Sequence, residues 1–304
     1  MVKKILITGG TGFIGYHLCK RSLKLGWKVT SLSTNFPQKK RKLLGVKYIK
    51  GNLINKNILK KNNNNYDYVV NLAGYVDHKN KKKTLDSHYK GCINLASYFL
   101  KKKIKKFVQI GSSIEYGFLR SPQMESLNNF KNTYSYYGNA KQLSTKYLLN
   151  LFSKNKFPVT ILRFYLVYGP NQSTNRIIPI IISNAIKDRD FDCSEGKQLR
   201  DFLHIDDAVE AIIKSLKNKK ASGEIINIGW GKPIKIKDLI LKICRLVGSG
   251  KPRFGKIDLR KDEMISLYPS IFKAKKIIKW KPKIELNLGL KKTIKYYKNQ
   301  NNKK

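Results

Sequence analysis

Apolar residues along this 304-residue chain fall into short runs that alternate with longer stretches of helical period. β-rich runs are read at residues 4–8, 28–32, 47–50, 66–72, 106–110 and 159–164, each of a length that suits a buried strand. Between them, residues 15–25, 92–100 and 140–152 read as helices. The first has apolar residues at Leu18, Leu23 and Leu25, and Gly26 closes it as a helix C-cap would. Strand–helix alternation over the first 165 residues predicts a parallel sheet with helices on both faces. The second half changes character. Helices are expected at 177–186 and 206–217, a short strand at 224–228, an irregular stretch from Pro252 to Pro282 and an amphipathic helix over 286–297. The expected fold is α/β: a doubly wound parallel sheet in residues 1–168, to which the chain returns around 203–230. A smaller C-terminal α+β domain is expected mainly in residues 169–297, with a disordered tail at 298–304.

Composition narrows the class. Hydrophobic residues make up 41% of the chain, but no apolar run approaches the roughly 18 residues of a membrane span. The longest candidate, residues 177–186, is broken by Pro179, Ser183 and Asn184. The apolar N-terminal stretch is too short for a signal peptide and runs straight into glycines, so it reads as a first strand of a cytoplasmic protein. Cys19, Cys92, Cys193 and Cys244 are far apart, as are His17, His78, His88 and His204, and no metal site is expected. The net charge of +44 has two readings. One is attraction to nucleic acid or another acidic surface. The other is coding bias, since only ten of the 63 basic residues are arginine and asparagine and isoleucine are also abundant. The lysines are spread along the whole chain, and phosphate readers favour arginine forks. Neither a membrane nor a nucleic acid is the expected partner.

The first strand ends in Thr8-Gly9-Gly10-Thr11-Gly12-Phe13-Ile14-Gly15. Gly10-x-Gly12-x-x-Gly15 fits the dinucleotide fingerprint of a Rossmann unit, and it stands between a strand and a helix as that fingerprint requires. One glycine permits the tight turn, one lets the backbone approach a pyrophosphate, and one lets helix and strand pack closely. The helix N-terminus then offers N–H groups to phosphate. An acidic residue that would hold the cofactor ribose is expected near Ser33, but Ser31-Leu32-Ser33-Thr34 precedes Lys39-Lys40-Arg41. Hydroxyls with nearby cations lean towards NADP over NAD.

Tyr137 and Lys141 stand four residues apart, on one face if the segment is helical. A free tyrosine, with a pKa of about 10, is a poor base at neutral pH. A neighbouring ammonium stabilises its phenolate, and lowering a phenol by about three units takes roughly 4 kcal/mol. Ser112, just after the fifth strand, stands where such sheets present reactive groups.

These residues carry a resemblance. The chain resembles the extended short-chain dehydrogenase/reductase family, in its NAD-dependent epimerase/dehydratase branch, over residues 3–297. Besides the glycine loop and the Tyr137–Lys141 pair, the motifs are Asn71-Leu72-Ala73-Gly74 and Gly111-Ser112-Ser113-Ile114-Glu115-Tyr116-Gly117. Leu162-Arg163-Phe164-Tyr165-Leu166-Val167-Tyr168-Gly169-Pro170, Arg200-Asp201-Phe202-Leu203-His204-Ile205-Asp206-Asp207 and Trp280-Lys281-Pro282 follow. The resemblance implies an NAD(P)-dependent enzyme acting by hydride transfer on a nucleoside-diphosphate sugar. It implies cofactor contacts at Gly9, Gly12, Phe13, Ile14, Gly15, Ser33, Asn52, Leu53, Leu72, Ala73 and Gly74. Tyr137 would be the acid/base on a sugar hydroxyl, typically at C4; Lys141 would tune it and hold the nicotinamide ribose; Ser112 would bind the same sugar oxygen. Ser113, Arg200 and Arg260 would contact substrate, the arginines at its diphosphate. A salt bridge from Arg200 to Asp201 or Asp206 is the structural alternative.

The chain departs from the family's pattern at several positions. Leu166 stands where relatives often have a phosphate-contacting asparagine, His88 replaces a usual asparagine, and Asn52 a usual aspartate. Ser113-Ile114 occupies the place of an Asp-Glu pair typical of the dehydratases, which argues against 4,6-dehydration. Two enzymatic outcomes stay open: a 4-epimerase, or an NADPH-dependent reductase of a 4-keto-6-deoxy sugar. A non-catalytic RNA-binding relative is the third reading, and retention of Tyr137 and Lys141 speaks against it. Relatives commonly form homodimers through the helix pair flanking the active site.

Overall fold

A computed structural model describes residues 1–61, 64–75, 77, 80–127, 133, 135–259 and 263–301. Seven parallel strands form the central sheet: β1 (Lys4–Thr8), β2 (Lys28–Ser33), β3 (Val46–Lys50), β4 (Tyr68–Asn71), β5 (Lys106–Ser112), β6 (Val159–Phe164) and β7 (Glu224–Ile228). Their spatial order is β3-β2-β1-β4-β5-β6-β7, so the winding reverses between β1 and β4. Open α/β sheets bind ligands at that crevice.

Alternation along the strands feeds two cores. On one face Ile5, Ile7, Val70, Val108 and Ile226 pack under α1 (Phe13–Lys24) and a later helix, Ile205–Lys217. On the other, Leu6, Val69, Phe107 and Ile161 pack under α2 (Gly91–Leu100) and α3 (Tyr136–Asn155). Both faces are covered, which is why the strands read as continuous apolar runs. A third core joins α4 (Ile177–Ile186), α6 (Ile236–Val247) and α7 (Leu286–Asn301) through Ile181, Ile182, Leu239, Ile240 and Leu290; Ile205–Lys217 is α5.

The Arg200–Asp207 motif staples these parts together. The Asp201 carboxylate accepts the N–H groups of Trp230 at 2.7 Å and Gly231 at 2.6 Å. His204 Nδ1 accepts the Asp206 N–H at 3.2 Å and caps α5. One Asp207 oxygen accepts from Lys283 and Ile284 at 3.0 and 2.8 Å, while Trp280 Nε1 donates to the Asp207 carbonyl at 3.1 Å.

Three details differ from the sequence reading. The stretch expected to be irregular holds a short helix, Phe272–Ile278, whose Ala274 and Ile278 turn inwards. Its seven residues offer only one i,i+4 apolar pair to a periodicity reading. α3 begins at Tyr136, because Ser135 Oγ accepts the Gly138 N–H at 3.0 Å and caps it there. Residues 298–301, expected in a disordered tail, continue α7. Lys298 Nζ donates to the Val247 carbonyl at 3.2 Å, where a cation suits the C-terminal end of α6.

Candidate active site

The glycine loop follows β1. Gly9 has φ +71°, and a Cβ there would lie 2.9 Å from the Leu72 carbonyl oxygen. A Cβ on Gly15 would lie 2.2 Å from Gly9 O, so Gly15 is what lets α1 sit on the loop. Gly12 is different: it is exposed, and a Cβ there would meet only Gly9 O at 3.2 Å. It leaves an open cradle at the N-terminus of α1, with Phe13, Ile14 and Gly15 in the first turn. This fits the pyrophosphate of a dinucleotide.

Beneath the loop a buried polar chain crosses the strand ends. Thr8 Oγ1 donates to Asn71 Oδ1 at 2.6 Å, and Asn71 Nδ2 donates to Gln109 Oε1 at 2.8 Å. Asn71 Oδ1 also accepts the Ala73 N–H at 3.3 Å, which shapes the Leu72–Ala73–Gly74 turn. Leu53 is buried after β3 and its carbonyl accepts from Asn94 at 2.9 Å, while Asn52 accepts the Ile54 N–H in a local turn. Ser33, at the end of β2, accepts the Thr11 N–H at 3.3 Å. The Arg41 guanidinium is held by the Asn171 carbonyl at 2.5 Å and the Thr11 carbonyl at 3.3 Å.

Tyr137 lies in the first turn of α3 and Lys141 one turn later. Lys141 is buried, its Nζ donating to the Ile110 carbonyl of β5 at 2.6 Å and lying 5.8 Å from the Tyr137 ring centroid. This bond fixes α3 against the strand that delivers Ser112. Ser112 caps a short turn, Ser113–Tyr116: its Oγ accepts the Ile114 N–H and its own N–H donates to Glu115 Oε1 at 2.8 Å. Ser113 is buried behind it.

Two features of this centre were not visible in the sequence. Glu115 and Arg163 form a fully buried ion pair at 3.0 Å, with Thr145 Oγ1 donating to the same Glu115 oxygen at 2.7 Å. The Arg163 guanidinium stacks on Tyr116, 4.3 Å from its centroid. His88 stands edge-on to Tyr137, their ring centroids 5.0 Å apart. Its Nε2 donates to the Tyr75 carbonyl at 3.0 Å, and it fills the space a Gly74 side chain would take, since a Cβ there would be 1.9 Å from the imidazole. His88 sits in a π-helical stretch, Asp86–Lys90, a rare geometry found often at functional sites.

The substrate-side arginines stand differently. Arg200 is buried and paired with Glu263, not with Asp201 or Asp206, and its Nη1 donates to the Leu199 carbonyl. Asp201 is already occupied by the Trp230–Gly231 backbone. Arg260 lies outside the described residues. Leu166 opens a short strand after β6 and is 39% exposed, an apolar surface where the family often has asparagine.

Residues 5–229 match the model of the NAD dependent epimerase/dehydratase family. The chain belongs to this family. Nucleotide-sugar epimerases, dehydratases and decarboxylases are among its relatives. The chain is 29% identical to UDP-N-acetyl-alpha-D-glucosaminuronate decarboxylase of Bacillus cytotoxicus, over 98% of each chain. It superposes on UDP-glucuronic acid 4-epimerase from Bacillus cereus, solved with UDP-glucuronic acid and NAD, with a TM-score of 0.87 at 26% identity, covering 98% of this chain and 99% of that one. UDP-N-acetylglucosamine 4-epimerase from Methanobrevibacter ruminantium, solved with UDP-N-acetylmuramic acid, gives a TM-score of 0.90 at 25% identity, with 98% and 99% covered. As an epimerase/dehydratase family member, the chain carries the family's glycine loop on a Rossmann sheet. No helix among the described residues is long and apolar enough to cross a membrane.

Proposed function

We propose that this enzyme is an NAD-dependent 4-epimerase of a UDP-linked sugar. The observation that carries the proposal is the anchored pair on α3: Lys141 is fixed to the Ile110 carbonyl and holds its ammonium beside Tyr137. NAD, held at the glycine loop, would supply the acceptor and donor of hydride. Tyr137 takes the proton from the sugar C4 hydroxyl as hydride leaves the same carbon, giving a 4-keto sugar. Lys141 stabilises the negative charge on the phenol oxygen. Ser112, whose Oγ accepts from Ile114, keeps its own hydrogen to donate to the C4 oxygen. For C4 to invert, the 4-keto sugar would turn its other face before hydride returns to C4, and Tyr137 would give the proton back to the C4 oxygen.

Dehydration needs a further acid/base group beside Ser112. Glu115 is the one acid of that turn, and its carboxylate is committed to Ser112 N, Thr145 and Arg163. NAD is proposed over NADP because Ser33, which on sequence favoured an extra phosphate, already accepts the Thr11 N–H. The relative solved with UDP-glucuronic acid carries NAD. Diphosphate binding by Arg200 is part of the proposal and requires Glu263 to yield the guanidinium.

The test is incubation with NAD and, separately, UDP-glucuronic acid, UDP-glucose and UDP-N-acetylglucosamine, with the C4 epimer followed by proton NMR. One of the three should epimerise, and Tyr137→Phe should abolish turnover with NAD affinity nearly intact. Absence of turnover on all three, or equal turnover by Tyr137→Phe, refutes the reading.

A further inference from the structure

A cavity of about 410 Å³ opens beside the glycine loop, between the turn after β2, the turn after Pro170 and the end of α7. It is separate from the expected cofactor groove: neither Gly12, Phe13, Ile14, Ser33 nor Leu53 lines it. Its volume lies within the usual range of small-molecule sites. Lys40 and Arg41 supply two cations, Ser173, Thr174 and Tyr297 supply hydroxyls, and amides fill most of the rest, with no carboxylate and no aliphatic side chain among the described residues. The Tyr296 and Tyr297 rings give the walls an apolar face as well. An anionic group faces cations with no competing acid among the described wall residues, and ligand hydroxyls face hydroxyls and amides that both donate and accept.

The walls are also tied to the cofactor loop. Tyr296 Oη donates to Asn171 Oδ1 at 2.9 Å, and Tyr297 Oη donates to the Gln172 carbonyl at 2.5 Å. Asn171 is buried at φ +70°, a conformation that few residues other than glycine adopt. Arg41 joins this turn to the Thr11 carbonyl of the glycine loop at 3.3 Å. One guanidinium thus connects the cavity wall to the phosphate cradle.

We propose that this cavity is a second binding site, taking a phosphate monoester of a small polyol such as a sugar phosphate. The phosphate meets Lys40 and Arg41, and the polyol hydroxyls meet the amides and hydroxyls of the opposite wall. Its phosphate competes with Thr11 and Asn171 for Arg41, so occupancy loosens the glycine loop. NAD and the sugar phosphate then weaken each other's binding by the same factor. This coupling rests on the glycine loop binding NAD; the site itself does not.

The test is calorimetric titration of the full chain with glucose 1-phosphate. Wild type should bind one equivalent saturably. Lys40→Glu and Thr174→Trp, which reverse a cation and fill the exposed mouth, should each lower affinity about tenfold or more. Gly12→Val and the equally charge-reversing Lys60→Glu should leave it unchanged. The proposal is overturned by absence of saturable binding, by equal loss in Lys60→Glu, which marks general attraction to a basic chain, or by loss in Gly12→Val, which places the ligand in the cofactor groove. Saturating glucose 1-phosphate should weaken NAD binding in wild type and not in Thr174→Trp; identical weakening in both overturns the coupling. A wild-type chain that binds no NAD refutes the cofactor reading, whereas the glucose 1-phosphate isotherm still decides the cavity.

Discussion

His204 offers a test of how the Arg200–Asp207 motif holds the fold. The imidazole is 1% exposed and caps α5 through Nδ1. That bond needs an unprotonated Nδ1, so the hydrogen sits on Nε2, which has no partner among the described residues. Burial pushes the His204 pKa down to about 4, with Asp206 opposing, against about 6.5 in an unfolded chain. The folded state therefore binds the proton later than the unfolded state. The stability contributed by neutral His204 is complete above about pH 6.5 and is lost as pH falls through about 4. Two to three units correspond to roughly 3 kcal/mol. Asp201 works in the opposite sense over much the same range, because burial raises its carboxyl to about 6 against its backbone hydrogen bonds. Its contribution is present at low pH and is lost as pH rises through about 6, so the two groups partly cancel in the wild type. His204→Asn separates them: asparagine keeps a capping acceptor but does not titrate. Urea unfolding of wild type and variant across the acid range should show the variant gaining on the wild type by about 3 kcal/mol as pH falls from 7 to 4. A wild-type-minus-variant difference that stays flat across that range would falsify the account of the cap.

Gly15→Ala places a methyl 2.2 Å from Gly9 O and should lose about 3 kcal/mol in thermal unfolding. Gly12→Ala should unfold almost as wild type but bind NADH poorly in a fluorescence titration; equal instability of the two variants would contradict the separate tasks given to these glycines. Glu115→Gln leaves the Arg163 guanidinium without its buried counter-charge and should cost about 3–5 kcal/mol in denaturant unfolding, and a cost near zero would show the pair to be solvated. His88→Ala removes the ring edge packed on Tyr137 and should lower kcat about three- to tenfold with NAD affinity unchanged, whereas His88→Phe keeps most of the rate. Parallel losses of rate and cofactor affinity in His88→Ala would count against this orienting contact.

The first six strands and the glycine loop were legible because the signals are local. A buried strand shows as an apolar run, and the loop needs glycine at fixed steps. Tyr137 and Lys141 were legible for the same reason, since one helical turn joins them. What Lys141 bonds to was not, because Ile110 lies 31 residues earlier and contributes only a carbonyl. Glu115 and Arg163 are separated by 48 residues, and nothing in either segment announces the other. His88 stood out as a departure from family pattern, but its contact with Tyr137 depends on the π-helical stretch that turns it inwards. The sequence offers Arg200 two acidic neighbours, Asp201 and Asp206. Arg200 pairs instead with Glu263, 63 residues away, while Asp201 serves the Trp230–Gly231 backbone. The basic cluster at Lys39–Arg41 reads from charge alone as a site for a cofactor phosphate, whereas Arg41 braces two loops and lines, with Lys40, a cavity apart from the glycine loop.

The position of β7 at one edge of the sheet has a consequence during synthesis. β6 is complete at Phe164, but its outer edge pairs with Glu224–Ile228, about 60 residues further along the chain. At about 5–20 residues per second, a ribosome takes roughly 3–12 s to deliver that partner. Throughout that interval Val159–Phe164 presents unpaired backbone N–H and C=O groups along an apolar strand, the form of edge most prone to pairing with another chain. The nascent chain's hazard is therefore concentrated at one strand, and a chaperone holding the emerging polypeptide would need to shield that edge until β7 arrives.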